Sequence, residues 1–423
     1  MHPLRRFSNV ASIACVLALT VLATRTLAQK PPGLGYAYPP VVVAGETTDV
    51  QLGGFDFTPD MQWFVHDAQV KLEILGPPGD YHLPPPPYWI GPRAITSALP
   101  IPREVPARIV VPKDTPAGPM RWQVANANGS SLTATLYVSR EQEILEHRSR
   151  ELPQRLDVLP VAVSGRLSRL TEVDRYELIA ERDGLVTVEL MARRLGADFL
   201  GVLEVRDRAG KLLVDYSDTL GLDAAATFAV RKSETYTVSL RDAEFRGDRA
   251  YVYRLAFRYG PNVICMLPAH GQRGTTREVE FVGIGISSSK AQLEMLRQTV
   301  SFPTEASQTT HIHRLETAAG IVEIPIPLSD AGEQVRHSSS DAIFAAPVAL
   351  TVRFSSGETE HRYTWAAAKD ELWSITAASR AIGSRLDVAL AVLDPTGKPL
   401  AENDDAGSST DAAIELRAPP DGD

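Results

Sequence analysis

Alternating apolar and polar residues dominate the chain after residue 30, and helical periodicity is nearly absent. Residues 70–75, 108–111 and 132–138 are β-branched or alternating runs, and Gly, Pro and Asn-Gly separate such runs from one another. In residues 132–138 Thr and Tyr alternate with Leu, Ala and Val, which predicts a strand with one buried face. The pattern therefore predicts an all-β protein.

The first block of strands covers residues 37–139. Asn128-Gly129 separates two strand-like runs and predicts a tight hairpin, because both central residues of such a turn need a positive φ. Four prolines at 84–87 predict an extended loop that interrupts the block. The neighbouring Tyr81, Tyr88 and Trp89 either pack under that loop or offer an aromatic surface to a sugar or peptide.

Three further blocks of strands follow, at residues 155–260, 261–340 and 347–423, and the charged segment 140–154 is predicted to be a linker. A chain of 423 residues is long enough for several cores. The predicted fold is a tandem array of β-sandwich modules.

An internal repeat links the second and fourth blocks. Residues 194–198 and 202–213 align without gaps with residues 381–385 and 389–400. The shared core is a strand, an Asp-x-x-Gly turn and a returning strand, with Asp207 and Gly210 in one copy and Asp394 and Gly397 in the other. Blocks two and four are therefore predicted to be copies of one module.

This repeated module resembles the bacterial pre-peptidase C-terminal domain. The resemblance rests on Ser-Gly-Arg-Leu at 164–167, Val-Asp-Arg-Tyr at 173–176 and Leu-Ala-Glu-Asn-Asp-Asp at 400–405. The family implies a jelly-roll-like β-sandwich that is appended to secreted proteases and other exported proteins. The second copy stops before counterparts of residues 236–240 and 251–257 appear, so 347–423 is expected to be a truncated module, a fragment of a longer gene product or of a shortened reading frame.

The first and third blocks resemble the immunoglobulin-like fold of the IPT/TIG family. In the first block the resemblance lies in residues 50–57, 111–112 and 124–129. In the third block it is looser and lies in residues 268–274 and 279–283. The resemblance implies immunoglobulin-like sandwiches and says little about function.

The N-terminus has the pattern of a secretory signal peptide at residues 1–28. Arg5 and Arg6 precede an apolar stretch at 10–23, and Thr-Leu-Ala at 26–28 offers a cleavage site. An uncleaved anchor is the alternative, but the stretch is short of the roughly 20 residues that span a bilayer. Export to the periplasm, cell surface or extracellular space is predicted, with no integral membrane segment after cleavage.

Net charge limits the classes of partner that the chain can bind, and the cysteine content limits its covalent cross-links. Removing residues 1–28 takes away three arginines and no acidic residue, so the formal net charge changes from -9 to -12. An acidic protein of this kind is not expected to bind nucleic acid. Cys265 is the only cysteine after residue 28, so no intramolecular disulfide is expected and the modules must be held by their cores.

Few residues are candidates for chemistry. No hydrolase elbow, phosphate-binding loop, Cys-x-x-Cys or His-Glu-x-x-His motif occurs, so neither catalysis nor a cofactor is expected. His311 and His313 have ligand-like spacing, or form an exposed pair on a strand. Oxygen donors gather in the second copy of the repeat and are either calcium ligands or a solvated acidic turn: Asp394, Asn403, Asp404 and Asp405.

These patterns predict a non-catalytic exported protein that acts as a binding or spacer module, with an extracellular polysaccharide or an envelope protein as its partner. The alternative is the accessory region of a secreted, peptidase-like hydrolase whose catalytic domain lies outside this chain.

Overall fold

The computed structural model describes residues 30–82, 102–147, 152–217, 223–406 and 411–419. The predicted signal peptide at 1–28, the proline loop with Tyr88 and Trp89, and residues 420–423 lie outside the described residues. In the described ranges the chain consists of β-strands and two short 3₁₀ turns, and none of its helices is long and apolar enough to cross a membrane. The predicted all-β class, with tandem β-sandwich modules, is confirmed.

The first module is a sandwich of two facing sheets. Its strands are β1 (Gly33–Tyr38), β2 (Val41–Val43), β3 (Thr47–Phe55), β4 (Gln62–Val65), β5 (Lys71–Ile74), β6 (Arg103–Val110), β7 (Gly118–Asn126), β8 (Gly129–Ser130) and β9 (Ala134–Ser139). One sheet has the order β1-β3-β6-β5 and the other β2-β9-β7-β4, with β8 paired to β7. Trp122 is fully buried between the sheets and stacks on Trp63 with ring centroids 6.1 Å apart.

The predicted hairpin between β7 and β9 is present, but its turn is shifted by one residue. Asn126 pairs with Gly129, so Ala127 and Asn128 form the centre of the turn. Asn128 donates its backbone N–H to Oδ1 of Asn126 (2.8 Å) and does not adopt a positive φ, which Gly129 does (130°). The turn is therefore a two-residue turn centred on Ala127 and Asn128 and held by the Asn126 side chain, in place of one centred on Asn128 and Gly129.

The second module is an eight-stranded copy of the repeat enlarged by two preceding strands. Its strands are β10 (Glu143–Leu145), β11 (Gln154–Leu156), β12 (Val161–Arg166), β13 (Asp174–Ile179), β14 (Gly184–Met191), β15 (Gly201–Asp207), β16 (Leu212–Ser217), β17 (Ala225–Val230), β18 (Thr235–Asp242) and β19 (Val252–Tyr259). A 3₁₀ turn at Arg193–Leu195 follows β14. The two five-stranded sheets have the orders β10-β12-β19-β14-β17 and β11-β13-β18-β15-β16, so β19 and β18 are the central strands.

The linker predicted at 140–154 needs correction. Its residues Glu143–Leu145 form β10, which pairs in parallel with β12, and Gln154 begins β11, which pairs in parallel with β13. Two short strands separated by charged residues lack the length that makes a strand pattern recognisable, so the sequence alone indicated a linker. Within the described part of this segment, Glu143–Leu145 and Gln154 belong to the sheets of the second module.

The third module is a smaller sandwich with three-stranded sheets. Its strands are β20 (Asn262–Leu267), β21 (Gly271–Gln272), β22 (Thr276–Ile284), β23 (Leu293–Ser301), β24 (Thr310–Thr317) and β25 (Gly320–Ser329). The sheets have the orders β20-β22-β23 and β21-β25-β24. Between them Phe281, Phe302, Leu315 and Ile326 form the buried core.

The fourth module contains the second copy of the repeat. Its strands are β26 (Gly332–Arg336), β27 (Ser340–Phe344), β28 (Val348–Val352), β29 (Tyr363–Trp365), β30 (Leu372–Thr376), β31 (Leu390–Leu393), β32 (Pro399–Asn403) and β33 (Ala413–Arg417), with a 3₁₀ turn at Arg380–Ile382. β26 and β27 pair with β28 and β29, so the boundary predicted at residue 340 moves to the segment before β26.

The repeat predicted from sequence is visible in the matching turns. Asp207 and Asp394 each accept a backbone N–H from the residue four positions later, at 2.9 Å in both copies. Gly210 and Gly397 take positive φ values of 81° and 86°. The Asp-x-x-Gly sequence therefore closes the same hairpin twice.

Candidate functional site

Gly165, Asp174 and Tyr176, which lie in the segments that carry the family resemblance, surround the buried Tyr253 in the second module. The Tyr253 hydroxyl donates to Oδ2 of Asp174 (2.6 Å) and lies 2.5 Å from the Tyr176 hydroxyl. Burial, Tyr176 and Asp174 raise the pKa of Tyr253 well above its usual value. Gly165 makes room for this ring, because a Cβ atom there would lie 2.4 Å from Tyr253. The motif residues thus fix the packing of β12, β13 and β19.

We expect Gly165→Ala to lower the free energy of unfolding by about 1–3 kcal/mol, because the new methyl group collides with a fully buried ring. Thermal unfolding of the whole chain measures this effect. Gly332→Ala is the matched control, since a Cβ atom at Gly332 meets nothing within 4 Å. An unchanged transition in Gly165→Ala would contradict the packing role.

A buried ion cluster joins the first module to the second. The Glu104 side chain, on β6, is 9% exposed and accepts hydrogen bonds from the Tyr36 hydroxyl (2.7 Å), Arg249 (2.5 and 3.0 Å) and Arg166 (3.2 Å). Burial favours the neutral carboxyl, but Arg249, Tyr36 and Arg166 outweigh burial and lower the pKa of Glu104. We call this set the Glu104 junction.

A second group of contacts extends the same interface. Arg254, on β19, bonds Glu143 at 2.7 Å and also bonds Glu141. Its guanidinium carbon lies 5.5 Å from the centroid of the Tyr137 ring, which belongs to the first module. Burial would lower the pKa of Arg254, but the carboxylates of Glu143 and Glu141 outweigh burial and raise it. The arginine therefore stays charged in a largely buried position.

The opposite sheet of the second module carries a shallow groove of about 590 Å³. Its floor is β18, where Thr235, Thr237 and Ser239 alternate with the buried Tyr236 and Val238. The contacts with the first module come from β10, β12, β19 and the loop before β19, on the other side of the sandwich. The groove is therefore on the side that faces away from the junction.

Charged side chains line the walls of this groove. Arg241 places its guanidinium carbon 4.5 Å from the Phe245 ring centroid and its Nε 3.8 Å from Glu204. Arg206 bonds the other carboxylate oxygen of Glu204 at 3.1 Å. Hydroxyl groups beside oriented guanidinium groups can donate to and accept from the hydroxyls of a sugar or the backbone of a peptide.

The four predicted calcium ligands are divided between the two ends of the β31–β32 hairpin, because Asp394 lies at its turn and Asn403 pairs with Leu390 at the other end. Two of the four have structural hydrogen bonds. Oδ1 of Asp394 accepts the backbone N–H groups of Thr396 and Lys398, each at 2.9 Å. Oδ1 of Asn403 accepts from the Ala413 backbone (3.0 Å). Asp404 and Asp405 are exposed. Within the described ranges, no group of three or more His, Cys, Asp or Glu side chains is placed to hold a metal ion. Calcium binding stays a prediction.

We expect Asp394→Ala to lower the melting temperature by the same amount with calcium as with a chelator, because its carboxylate holds the turn. Asp207→Ala is the matched control in the copy where no calcium is predicted. Calorimetry of both variants in calcium and in chelator measures the difference. A calcium-dependent stabilisation that Asp394→Ala abolishes would instead establish the metal site.

His311 and His313 lie on β24 and face the same side, with ring centroids 6.2 Å apart. His313 stacks on Phe281, and burial together with the neighbouring His311 lowers its pKa. Gln298 lies 3.2 Å from its Nε2. Each imidazole thus has a packing partner in the third module. Cys265 is half-buried on β20, and burial raises the pKa of its thiol.

Sequence analysis missed a pair of buried aspartates that belong to the repeat. Oδ1 of Asp223 accepts the backbone N–H groups of Ala192 and Arg193 at the 3₁₀ turn, at 2.9 and 2.8 Å. Oδ1 of Asp411 accepts those of Ser379 and Arg380 at the same distances. The separation from the turn differs by one residue between the copies, so an alignment without gaps could not match them.

No protein-family model and no curated protein sequence matches this chain. Among solved structures, it is similar to a pre-peptidase C-terminal domain of a Bacillus anthracis collagenase, at 13% identity and a TM-score of 0.22 over 27% of this chain and 100% of that one. It is also similar to the secreted serine protease VesC of Vibrio cholerae, with 12% identity, a TM-score of 0.19 and 51% of this chain covered, and it spans 47% of that protease.

A collagen adhesin from S. aureus is a further structure with some similarity, at 9% identity and a TM-score of 0.15 over 65% of this chain and 94% of that one. At these identities and scores the likeness extends no further than the β-sandwich fold. The β-sandwich fold is established by the sheet topology described above and does not depend on these comparisons.

Proposed function

We propose that this chain is a non-catalytic, exported binding and spacer protein that presents the groove of the second module at a fixed orientation. The observation that carries the proposal is the Glu104 junction. A buried carboxylate with three charged or hydroxyl donors from two modules holds those modules in one relative position. Export is supported by the signal-like N-terminus, and the ligand class by the hydroxyls and guanidinium groups of the groove.

The spacer role is tested by measuring the distance between the first two modules. Spin labels at Thr47→Cys and Lys232→Cys, in a Cys265→Ala background, occupy exposed positions on the two modules. We expect a single narrow distance distribution in the whole chain. A broad distribution at neutral pH would mean that the modules move independently and would rule out a rigid spacer.

The binding role is tested by retention on extracellular polysaccharides and envelope fractions. Thr237→Trp fills the floor of the groove, and Thr299→Trp places the same side chain on an exposed strand position of the third module. We expect Thr237→Trp to bind at least about tenfold more weakly than wild type, a loss typical of a hot-spot residue. Equal retention of all three proteins would exclude the groove.

The alternative, an accessory region of a secreted hydrolase, is favoured by Gly165, Asp174 and Tyr176, because these residues belong to the segments that resemble a protease-appended domain. The coding sequence beyond Asp423 distinguishes the two functions. A hydrolase motif encoded there would favour the accessory role. Hydrolysis of peptides or esters by the repurified chain itself would contradict both.

A further inference from the structure

The groove of the second module carries a regular arrangement of polar side chains. Two rows of paired residues cross it from β13 through β18 to β15: Arg175, Ser239 and Glu204 in one row, and Glu177, Thr237 and Arg206 in the other. Residues paired directly across a sheet project from the same face. Each hydroxyl of the floor therefore lies between an arginine and a glutamate, and the arginine changes sides from one row to the next.

Positive charge is in excess in this groove. Its described lining contains four arginines and three acidic residues: Arg175, Arg206, Arg208 and Arg241, and Glu177, Glu204 and Asp207. The carboxylate of Asp207 is engaged in its own turn, where it accepts the backbone N–H of Lys211 at 2.9 Å. The chain as a whole has a formal net charge of -9. A positive groove on an acidic protein attracts an anionic ligand.

Two of the arginines are held in place with most of their charge uncompensated. Arg206 bonds Oε2 of Glu204 at 3.1 Å, and Nε of Arg241 lies 3.8 Å from Oε1 of the same carboxylate. Arg206 also donates to the Gly210 carbonyl (3.1 Å), and Arg241 to the Asp242 carbonyl (3.3 Å). Carbonyl oxygens orient a guanidinium group without neutralising it. One carboxylate is therefore shared by two fixed positive charges.

Arg175 is the arginine best placed to pair with a ligand. It is exposed, and its guanidinium makes one long contact, of 3.5 Å, to the Val173 carbonyl on the same strand. In the ranges that the structure describes, no carboxylate lies within ion-pair distance of Arg175 or Arg208. Arg175 can therefore form a bidentate pair with a ligand carboxylate without breaking an existing ion pair.

The floor of the groove favours a saccharide over a peptide. β18 is hydrogen-bonded on both sides, to β13 and β15, so its backbone cannot pair with an added strand. The apolar side chains of the described lining are Val173 and Phe245, and Arg241 lies over the Phe245 ring. This lining lacks the apolar pockets that anchor peptide side chains. Serine and threonine hydroxyls both donate and accept, as the hydroxyls of a sugar require.

We propose that the groove binds an acidic polysaccharide, a chain of sugars with uronate carboxylates. A carboxylate pairs with Arg175, the fixed charges of Arg206 and Arg241 attract its neighbours along the chain, and sugar hydroxyls bond Ser239 and Thr237. The inference rests on the binding role proposed above and narrows its ligand to one class.

Polygalacturonate and its fully methyl-esterified form are matched probes, because esterification removes the charge and keeps the sugar chain. We expect the whole protein to bind polygalacturonate at least about tenfold more tightly than the ester at low salt, since charged hydrogen bonds are lost with the carboxylates. The difference should shrink as salt is added. Calorimetric titration or retention on immobilised polymer measures both affinities.

Substitutions of opposite charge effect test the groove itself. Arg175→Gln should remove most of the preference for polygalacturonate, whereas Glu177→Gln should strengthen binding, because it removes a negative charge from the same face. Arg121→Gln, at an exposed strand position of the first module, is the matched control and should leave both affinities unchanged. Unchanged thermal unfolding of all three variants shows that their folds are intact.

Equal binding of the two polymers that Thr237→Trp abolishes and Arg175→Gln does not affect would overturn the acidic ligand and leave the binding function in place. No retention of any polysaccharide or envelope fraction would overturn both. Binding of polygalacturonate that Thr237→Trp does not weaken would place the site outside the groove and overturn the inference. Equally tight binding of polyglutamate would assign the groove to an acidic peptide instead.

Discussion

Replacing Glu104 with alanine is expected to lower the free energy of unfolding by about 3–5 kcal/mol and to free the first two modules from one another. The substitution removes the carboxylate that Arg249 and Arg166 contact and leaves their two positive charges at the interface. The Tyr36 hydroxyl, 3% exposed as a residue, loses its acceptor as well. The size of the effect thus comes from the charges left behind as much as from the bond that is lost.

Urea unfolding of the whole chain measures this loss, and the spin-label distances measure the release of the modules. Asp49→Ala is the matched control, because Asp49 pairs with Arg108 on the same sheet but at an exposed position. We expect that control to leave both readouts unchanged. If Glu104→Ala keeps the narrow distance distribution, contacts other than the Glu104 junction hold the two modules in place.

The junction also predicts a dependence on pH. Because Arg249, Tyr36 and Arg166 lower the pKa of Glu104 in the folded protein, its contribution to stability is fully present above the ordinary glutamate pKa of about 4.3. The contribution is lost as the pH falls through the lower folded value. Wild type should therefore lose stability more steeply than Glu104→Gln over that acidic range.

The second large effect is expected at Asp223. Asp223→Ala should destabilise the second module by about 3 kcal/mol or more, since this residue is 1% exposed and bonds two backbone N–H groups of the 3₁₀ turn and Nε of Arg194 (2.7 Å). Its loss leaves buried N–H donors without acceptors and Arg194 without one of its two carboxylates. Hydrogen exchange of β14 and β17 locates the change.

Asp411→Ala makes the same substitution in the fourth module. Asp411 accepts the equivalent N–H groups, but it is 8% exposed whereas Asp223 is 1% exposed. Ile382 of its 3₁₀ turn is half-buried whereas Leu195 is buried, so water can reach the N–H groups that the substitution leaves without an acceptor. We expect a smaller loss of stability than in Asp223→Ala. Equal losses in the two variants would show that the greater exposure of Asp411 and its turn does not weaken this contact.

Local patterns predicted much of this architecture from sequence. The Asp-x-x-Gly turn at Asp207 and Asp394 is closed by atoms within four residues, so its sequence determines its structure. Alternation of side chains at residues 132–138 likewise predicted the strand β9 (Ala134–Ser139). The shift of the hairpin at Asn128 was not predictable, because the Asn126 side chain competes with the expected turn.

Contacts between residues far apart in the sequence could not be predicted from local patterns. Glu104 and Arg249 are 145 residues apart, and nothing in the pattern around either residue indicates the other. Glu143 and Arg254 meet only because β10 joins the sheet of the second module. Charged residues that the sequence assigned to a linker are therefore part of a buried interface. The candidate groove lies on the opposite sheet of the second module, which this interface does not cover.

The incorporation of β10 and β11 into the second module determines how the protein responds to tension. A free linker of the predicted length could extend to about 3.5 Å per residue before a pulling force acted on either module. Because Glu143–Leu145 and Gln154–Leu156 are hydrogen-bonded into two different sheets, most of that slack is absent. Force applied along the chain reaches the sheets directly, and the connection lengthens only after β10 and β11 have been pulled away from β12 and β13.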